Sequence, residues 1–244
     1  MYPNSEKVVL LLGANSDVAK AAITQYVLKG YRVLAASRNL VELREYVERS
    51  VSDPARVTVL HFDATDFGGH RAFYEALPEK PHIVVYAAGF LRDNLEAMGD
   101  WEGAFQMMKV HYAGAVSILN IVVTDQDNPG LERIIGLSSL SGVRGRKSNF
   151  IYGSTKSAFT QYLAGMRQYL FQRGVKVNVI VAGYIRSKMT AGLGLPESLM
   201  LEPAFIAKAV VDAGSRFTIV PGFKWKIIYW VLRLSPERLV ARLP

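Results

Sequence analysis

A serine, a tyrosine and a lysine with the spacing of a proton-transfer site lie within residues 138–159, SSLSGVRGRKSNFIYGSTKSAF. Tyr152 and Lys156 stand four positions apart at the start of a predicted helix, so their side chains lie on one face of it. A tyrosine phenol has an ordinary pKa of about 10. A lysine ammonium beside it stabilises the phenolate and lowers that pKa. Ser139 ends the preceding predicted strand and can hydrogen-bond a reacting carbonyl oxygen. The three residues predict proton transfer at a carbonyl or alcohol, with hydride supplied by a nicotinamide.

The elements that must position these residues alternate between buried strands and helices. Apolar runs predict strands at residues 7–12, 32–37, 57–62, 82–87, 133–138, 176–181 and 216–220. Helical patterns occur at residues 18–29, 41–50, 70–77, 101–123, 150–173 and 204–213. Such alternation predicts a doubly wound α/β fold, a seven-stranded parallel sheet with helices on both faces. Ligands of such folds bind at the carboxyl ends of the strands.

The turn after the first strand, GANSDVA at residues 13–19, is a candidate phosphate-binding loop. Gly13 is its only glycine; Asp17 and Ala19 occupy the later small positions. We interpret Asp17 as capping the following helix, or complementing its dipole, with the carboxylate turned away from the phosphates. The alternative is that this turn binds no phosphate.

Taken alone, a Tyr-x-x-x-Lys pattern is typical of a packed tyrosine and a surface lysine, but its combination with this loop and Ser139 favours a reactive site.

The end of the second strand bears on the choice of cofactor. It reads ASRN, residues 36–39, with no acidic residue. An acid there holds the ribose 2′-OH of NAD, whereas an arginine suits the 2′-phosphate of NADP. Arg38 is therefore a candidate 2′-phosphate ligand, the alternative being a solvated arginine. We expect NADP(H), with NAD(H) as the alternative because Asp17 opposes an additional phosphate.

Composition limits the classes of protein that this chain can be. With 244 residues and 50% hydrophobic residues, it is expected to form a compact core. The absence of cysteine excludes disulfides and thiolate metal sites, and we expect no metal. The start, MYPNSEK, lacks the pattern of a secretory signal, so a cytoplasmic protein is expected. The net charge of +8 suggests an anionic partner. No nucleic-acid-binding motif is present, so we expect no nucleic acid.

The motifs together resemble the short-chain dehydrogenase/reductase family over nearly the whole chain. The resemblance also includes AAG at residues 87–89 and AGYIRSKMT at residues 182–190. It implies a single Rossmann-like domain over residues 1–244, with a core at 1–220 and a helical extension at 221–244, assembled as a homodimer or homotetramer through the helix at 150–173. It implies Ser139, Tyr152 and Lys156 as catalytic residues. The implied cofactor-binding residues are Gly13, Asn15, Ser16, Asp17, Val18, Ser37, Arg38, Asp63, Ala64, Ala87, Ala88, Gly89, Tyr152, Lys156, Gly183, Ile185 and Ser187.

The chain departs from the family pattern beyond its single loop glycine. Ala182 stands where a proline usually precedes Gly183, and His111 stands where the family usually has an asparagine that positions a relay water. Imidazole can also relay protons near neutral pH, so His111 is a candidate catalytic residue. The alternative is a neutral histidine satisfied within its helix.

One subgroup of the family resembles this chain more closely than the family average does. It consists of the reductases of 2-keto pentofuranosyl groups on polyprenyl phosphate. The similarity lies in NFIYGSTK, in the tail and in a basic loop with Arg144, Arg146 and Lys147. These three residues are candidate ligands of an anionic substrate, or a solvated loop, and residues 193–200 are the expected lid. A lipid-linked keto sugar is thus one expected substrate. The alternatives are a soluble ketone, or a nucleotide-binding sensor that catalyses nothing.

The tail FKWKIIYWVLRLSPERLVARLP, residues 223–244, holds five basic residues and one acid, a net charge of +4. Its pattern predicts a helix with Phe223, Ile227, Val231 and Leu234 along one side, followed by a short basic helix. That apolar side packs on the body, or it lies on an anionic membrane surface as a peripheral contact. We favour the membrane, because the basic loop independently suggests an anionic substrate.

Overall fold

The computed structural model describes residues 7–242 and contains one parallel sheet with helices on both faces, as predicted. The order of the strands is β3-β2-β1-β4-β5-β6-β7. The strands are β1 (Val8–Leu12), β2 (Arg32–Ser37), β3 (Val57–His61), β4 (Ile83–Tyr86), β5 (Arg133–Ser139), β6 (Lys176–Ala182) and β7 (Thr218–Ile219). The main helices are α1 (Asp17–Leu28), α2 (Leu40–Ser50), α3 (His70–Glu75), α4 (Asn94–Gly99), α5 (Trp101–Met108), α6 (Gly114–Thr124), α7 (Phe150–Tyr169), α8 (Pro203–Val211), α9 (Phe223–Leu234) and α10 (Glu237–Val240).

Both faces of the sheet are buried, which explains why the strands are continuous apolar runs. Along β1, Val8, Leu10 and Leu12 pack with α6, α7 and α9 on one face. Val9 and Leu11 pack with α1, α2 and α8 on the other. Strand β1 pairs with both β2 and β4, so the chain reverses its direction of travel across the sheet at β1. This reversal opens a crevice at the carboxyl ends of the strands, where such folds bind ligands.

The structure corrects several predicted elements. Strand β7 is shorter than the expected run at 216–220, because only Thr218 and Ile219 pair with β6. The expected helix at 101–123 is divided into α5 and α6 by a π-helical segment, Lys109–Ala113. Helix α4 was not predicted, although Asp93 caps it by accepting hydrogen bonds from the N–H groups of its first turn.

Helix α9 packs on the body through the side opposite to the apolar side that carries Phe223 and Ile227. Trp225, Tyr229 and Leu232 are buried in the main core, whereas the side that carries Phe223 and Ile227 is exposed. Of the two alternatives for this latter side, packing on the body is therefore wrong, and contact with a membrane surface stays a prediction. The helix carries apolar residues on both sides, and periodicity alone does not tell which side is buried.

Candidate active site

Ser139 and Tyr152 are brought together by close packing of the turn after β5 against α7. Gly142 and Gly153 make this approach possible. A Cβ on Gly142 would lie 2.8 Å from the Lys156 carbonyl carbon, and one on Gly153 would lie 2.5 Å from the Ser141 oxygen. Larger side chains at either glycine would push the turn away from the helix.

Burial shifts the pKa values of Tyr152 and Lys156 towards their neutral forms. Burial raises the pKa of Tyr152 to about 12, while a hydrogen bond with Ser139 lowers it in part. Burial also lowers the pKa of Lys156 to about 8. The Lys156 Nζ donates to the Leu137 carbonyl at 3.1 Å and lies 5.8 Å from the centre of the Tyr152 ring. The spacing of the two residues predicted that the lysine lowers the tyrosine pKa, whereas in this structure desolvation outweighs any such effect.

His111 lies in the π-helical segment with both of its ring nitrogens occupied by protein groups. Its Nε2 accepts a hydrogen bond from the Phe90 backbone N–H at 3.0 Å. Its Nδ1 therefore carries the proton and donates to Thr155 Oγ1 at 2.7 Å, and this hydroxyl donates to the Tyr152 carbonyl. Burial, helped by the charge of Lys156, holds the His111 pKa well below its usual range. The histidine is thus neutral and joins the loop after β4 to the helix that carries Tyr152.

The loop after β1 has the form of a phosphate cradle. Gly13 has a φ of +85°, and a Cβ there would lie 2.4 Å from the Ala88 nitrogen. Asn15 donates to Ser37 Oγ at 2.8 Å, and its own buried Oδ1 has no partner among the described residues. The free N–H groups of α1 follow directly. The glycine and the unsatisfied amide oxygen both fit a dinucleotide cofactor.

Of the two roles that we gave Asp17, capping α1 is wrong, whereas its carboxylate does lie in the first turn of the helix, where it complements the dipole. Ser16 is the cap, because its side chain accepts from the Ala19 N–H. The Asp17 carboxylate instead accepts from the Lys188 backbone N–H at 2.7 Å. The contact links the phosphate loop to the segment after β6.

The end of the cleft at β2 and β3 is polar and partly charged. Asp63 Oδ1 accepts from both the N–H and the hydroxyl of Thr65 at 2.8 Å. Burial raises the Asp63 pKa, but these hydrogen bonds and the charge of Arg38 outweigh it, so the carboxylate is favoured. Arg38 lies at the end of β2 on the wall of the cleft.

The carboxyl ends of the strands border one large cleft of about 710 Å³. It is lined by sixteen of the seventeen residues predicted to bind the cofactor, namely Gly13, Asn15, Ser16, Asp17, Val18, Ser37, Arg38, Asp63, Ala64, Ala87, Ala88, Gly89, Tyr152, Lys156, Ile185 and Ser187. Residues that the sequence analysis did not single out also line it, including Phe62, Phe90, Gln106, Lys188 and Met189. Lys188 and Met189 lie within the family motif at 182–190, which could have indicated them.

Gly183, the remaining predicted cofactor residue, lies under the tail. A Cβ on Gly183 would lie 2.1 Å from the Trp225 ring, so only glycine leaves room for this ring. In the structure the residue therefore serves the packing of α9, and it does not line the cleft.

The three basic residues of the loop between Ser139 and Tyr152 lie outside the lining of the cleft. Arg144 donates to the Ser235 carbonyl and lies 3.7 Å from the Glu237 carboxylate. Arg146 donates to Ser141 Oγ at 3.1 Å, and Lys147 is exposed. The structure thus ties Arg144 to the C-terminal helices and does not group these residues around one anion site.

Comparisons with known proteins agree with this geometry. The family described as short chain dehydrogenase matches residues 7–197. An uncharacterized oxidoreductase of Mycobacterium tuberculosis is 25% identical over 245 residues, covering 97% of this chain and 96% of the relative. One of Myxococcus xanthus is 24% identical over 247 residues, covering 100% of this chain and 95% of the relative.

Solved structures share the whole fold. A short chain dehydrogenase from Burkholderia cenocepacia, solved in complex with NADP, superposes with a TM-score of 0.84 at 22% identity, covering 100% of this chain and 99% of that one. Serine dehydrogenase from Escherichia coli gives a TM-score of 0.74 at 19% identity, covering 87% and 96%. With its Rossmann-like sheet and the family match over most of its length, the chain belongs to the short-chain dehydrogenase family of oxidoreductases.

Proposed function

We propose that the protein reduces a ketone to an alcohol with a nicotinamide cofactor. The observation that carries this proposal is the grouping of Ser139, Tyr152 and Lys156 beside one large cleft with a dinucleotide cradle at its other end. The bound cofactor would supply hydride to the carbonyl carbon. Tyr152, with its pKa of about 12, holds a proton at neutral pH and gives it to the carbonyl oxygen.

The two other residues prepare this proton transfer. Ser139 Oγ accepts from the Ser141 N–H at 3.1 Å, and its hydroxyl lowers the pKa of Tyr152, so it is close enough to the phenol to bond the same carbonyl oxygen. Lys156, with its pKa of about 8, is mostly charged at neutral pH and stabilises the tyrosinate that remains. Tyr152 and Lys156, together with the cradle residues Gly13 and Asn15, would hold the cofactor.

The test of this activity is oxidation of NADPH or NADH with a panel of ketones. Ser139→Ala should lower turnover by about 10²-fold or more, since it removes a hydrogen bond to the reacting oxygen. Ser157→Ala, a change of an exposed serine on α7, is the matched control. If the protein binds either cofactor but none of the ketones leads to oxidation of that cofactor, the result would support the non-catalytic sensor.

For the cofactor we favour NADP(H) over NAD(H). Arg38 and Ser37 line the cleft at the end of β2, where no acid is present to hold a ribose 2′-OH. The Burkholderia relative was solved with NADP. Asp17 bonds to the Lys188 N–H, so its carboxylate already has a partner within the chain.

Arg38→Ala tests this preference. It should weaken NADPH binding about tenfold or more and leave NADH binding unchanged, because one charge-assisted hydrogen bond is lost. Arg44→Ala on α2, where the arginine is exposed, is the control. An unchanged ratio of the two dissociation constants in Arg38→Ala would remove the 2′-phosphate role.

For the substrate we favour a keto sugar linked to a lipid phosphate. The support comes from the tail, since α9 contacts residues 198–199 of the expected lid through Lys224 and Trp225. The test compares a lipid-linked 2-keto pentofuranosyl phosphate with the same sugar phosphate lacking the lipid. Equal kcat/KM values would favour a soluble ketone.

We also propose a cytoplasmic homodimer or homotetramer. The apolar residues of α7 support an interface less than expected, because Phe159, Leu163 and Met166 are buried in the core. Tyr169 of α7 and Trp101 of α5 remain exposed. Sedimentation velocity would give the number of subunits, and a monomer would contradict this part of the proposal.

A further inference from the structure

Helix α9 exposes a continuous apolar surface on the side that faces away from the body. We call it the outer strip; its side chains are between 50% and 77% exposed and are those of Phe223, Ile227, Trp230, Val231 and Leu234. At 3.6 residues per turn these positions fall along one side of the helix. The opposite side, with Trp225, Tyr229 and Leu232, is buried in the core.

Basic residues border the outer strip on both sides. Helical geometry places Lys224 along one edge and Lys226 and Arg233 along the other. Helix α9 contains no acidic residue. The next segment continues the pattern, because Leu239 is exposed and Arg238 and Arg242 are exposed beside it. An apolar strip with Trp and Phe between rows of Lys and Arg is typical of helices that lie in a membrane interface.

The strip is held rigidly next to the catalytic domain. The Trp225 indole donates to the Leu199 carbonyl at 2.9 Å, and Lys224 donates to the Ser198 carbonyl at 3.1 Å. Arg144 fixes the end of the helix by donating to the Ser235 carbonyl. The surface is therefore already ordered before it meets a partner, and little ordering entropy opposes binding.

The charges favour one class of partner over two others. A second copy docked on the same strip would bring the basic rows of the two α9 helices close together, with no acid of α9 to pair with them. A nucleic acid would bind the basic rows and leave the apolar strip exposed. An anionic lipid layer matches both the outer strip and the basic rows, because its acyl chains bury the apolar side chains and its phosphates pair with the lysines and arginines.

We propose that the outer strip docks the protein on an anionic membrane surface, with α9 lying parallel to the bilayer. The helix has 12 residues, too few for a crossing, which needs about 20. Among the described residues, one stretch, Trp101–Thr124, is long and apolar enough to cross a membrane, and its Ile118 and Leu119 are buried in the core. Docking through α9 would bring residues 198–199, which Lys224 and Trp225 contact, close to the lipid headgroups.

Sedimentation of the full chain with vesicles tests the proposal. Phosphatidylcholine vesicles that contain phosphatidylglycerol should carry the protein down, and pure phosphatidylcholine vesicles should do so much less. The combined change Ile227→Ser, Trp230→Ser, Leu234→Ser should lower the partition coefficient at least about a hundredfold, because three apolar contacts with the bilayer are lost. Leu28→Ser, Val41→Ser, Phe171→Ser is the matched control, since these apolar side chains are equally exposed elsewhere.

A single charge change gives a second, independent measure. Lys226→Ala should weaken binding to the anionic vesicles about fivefold, and Lys176→Ala, an exposed lysine on β6, should not. The proposal is overturned if the wild-type chain does not bind the anionic vesicles, or if the strip variant binds as well as wild type. It is also overturned if the strip variant changes the subunit number without lipid, which would make the strip an interface between copies. The assay needs neither cofactor nor ketone, so its result is independent of the proposed reductase activity.

Discussion

At the scale of single residues, the site depends on burial as much as on residue type. Desolvation raises the pKa of Tyr152 and lowers that of Lys156, so both side chains are pushed towards neutrality. The tyrosine is thereby kept as a proton donor over the whole neutral range. The lysine is the group whose charge changes nearest to neutral pH.

The first prediction follows from the Lys156 pKa of about 8. As pH rises through this value the lysine loses its proton and no longer stabilises the tyrosinate. The kcat/KM for ketone reduction should therefore fall about tenfold per pH unit above pH about 8. A pH profile measured with a ketone substrate would show this limb, and a constant kcat/KM up to pH about 9.5 would contradict it.

A second prediction concerns His111, for which the geometry favours positioning over proton relay. In His111→Ala the partly buried Phe90 N–H loses its acceptor, which should cost about 1–3 kcal/mol of unfolding free energy. His111→Asn can still accept this hydrogen bond and should lose less. Urea unfolding measures both values.

The pH profile separates the two roles of His111. Both ring nitrogens of the histidine are occupied, and burial holds its pKa well below the usual range. The dependence of kcat/KM on pH should therefore be the same in the variants as in the wild type. A limb near neutral pH that is present in the wild type and absent from both variants would show a proton relay instead.

Residue types and spacing indicated which side chains the fold brings to the cleft, but they did not indicate the contacts of these side chains. Ser139, Tyr152 and Lys156 were predicted because their spacing on a strand end and a helix has a chemical meaning. The contact between Asp17 and Lys188 was not predicted. It joins positions that are 171 residues apart, and only the order of the strands brings them together. The reversal of the expected Tyr152 pKa shift has the same origin, since burial is a property of the folded chain.

At the scale of elements, glycines decide how closely loops approach the helices. A third prediction tests Gly183, whose Cβ would lie 2.1 Å from the Trp225 ring. Gly183→Ala should lower the unfolding free energy by about 1–3 kcal/mol, because the ring and α9 must move. Gly165→Ala, within α7 and with no atom within 4 Å of its Cβ, should stabilise the protein by about 0.5–1 kcal/mol.

A double-mutant cycle with Trp225→Ala completes this test. Once the ring is removed, the Gly183 change should cost much less, giving a coupling free energy of about 1 kcal/mol or more. Additive costs of the two changes would mean that the contact does not carry the effect.

The predicted elements were correct where periodicity and burial agree. The strands that are buried on both faces were predicted to within one or two residues, whereas β7, at the edge of the sheet, is shorter than its apolar run. The π-helical segment has no signal in the apolar pattern, because the whole stretch at 101–123 reads as one helix. For α9 the pattern predicted one apolar side, and the side with Trp225, Tyr229 and Leu232, which packs in the core, was missed.

At the scale of the whole molecule, the C-terminal helices are part of the folded body. A fourth prediction is that a chain cut after Gly222 is destabilised by several kcal/mol, because Trp225, Tyr229 and Leu232 leave the core. Urea unfolding of the cut chain measures this cost. Unchanged stability would contradict the packing of α9, and the predicted loss is the reason why surface substitutions test membrane binding more cleanly than truncation.

The architecture of the molecule could be derived from the alternation of strands and helices, and it placed the cleft at the reversal of the strand order. The position of the basic loop, with Arg144, Arg146 and Lys147, could not be derived from the sequence. Arg144 binds the tail, because α9 and α10 fold back beside the turn after β5. Half of the net charge of +8 lies in a tail whose inner side is core and whose outer side is exposed.

The most direct test of the account is a comparison of Tyr152→Phe with the wild type, using NADPH deuterated at the transferable position and a ketone that the wild type reduces. The wild type should place the deuterium on the alcohol carbon. Tyr152→Phe should still bind NADPH, no more than about tenfold more weakly, because one hydroxyl contact is lost while Lys156 and the loop after β1 remain. It should turn over about 10²–10⁴-fold more slowly, because the proton donor is lost. Turnover by Tyr152→Phe at the wild-type rate would contradict the central claim.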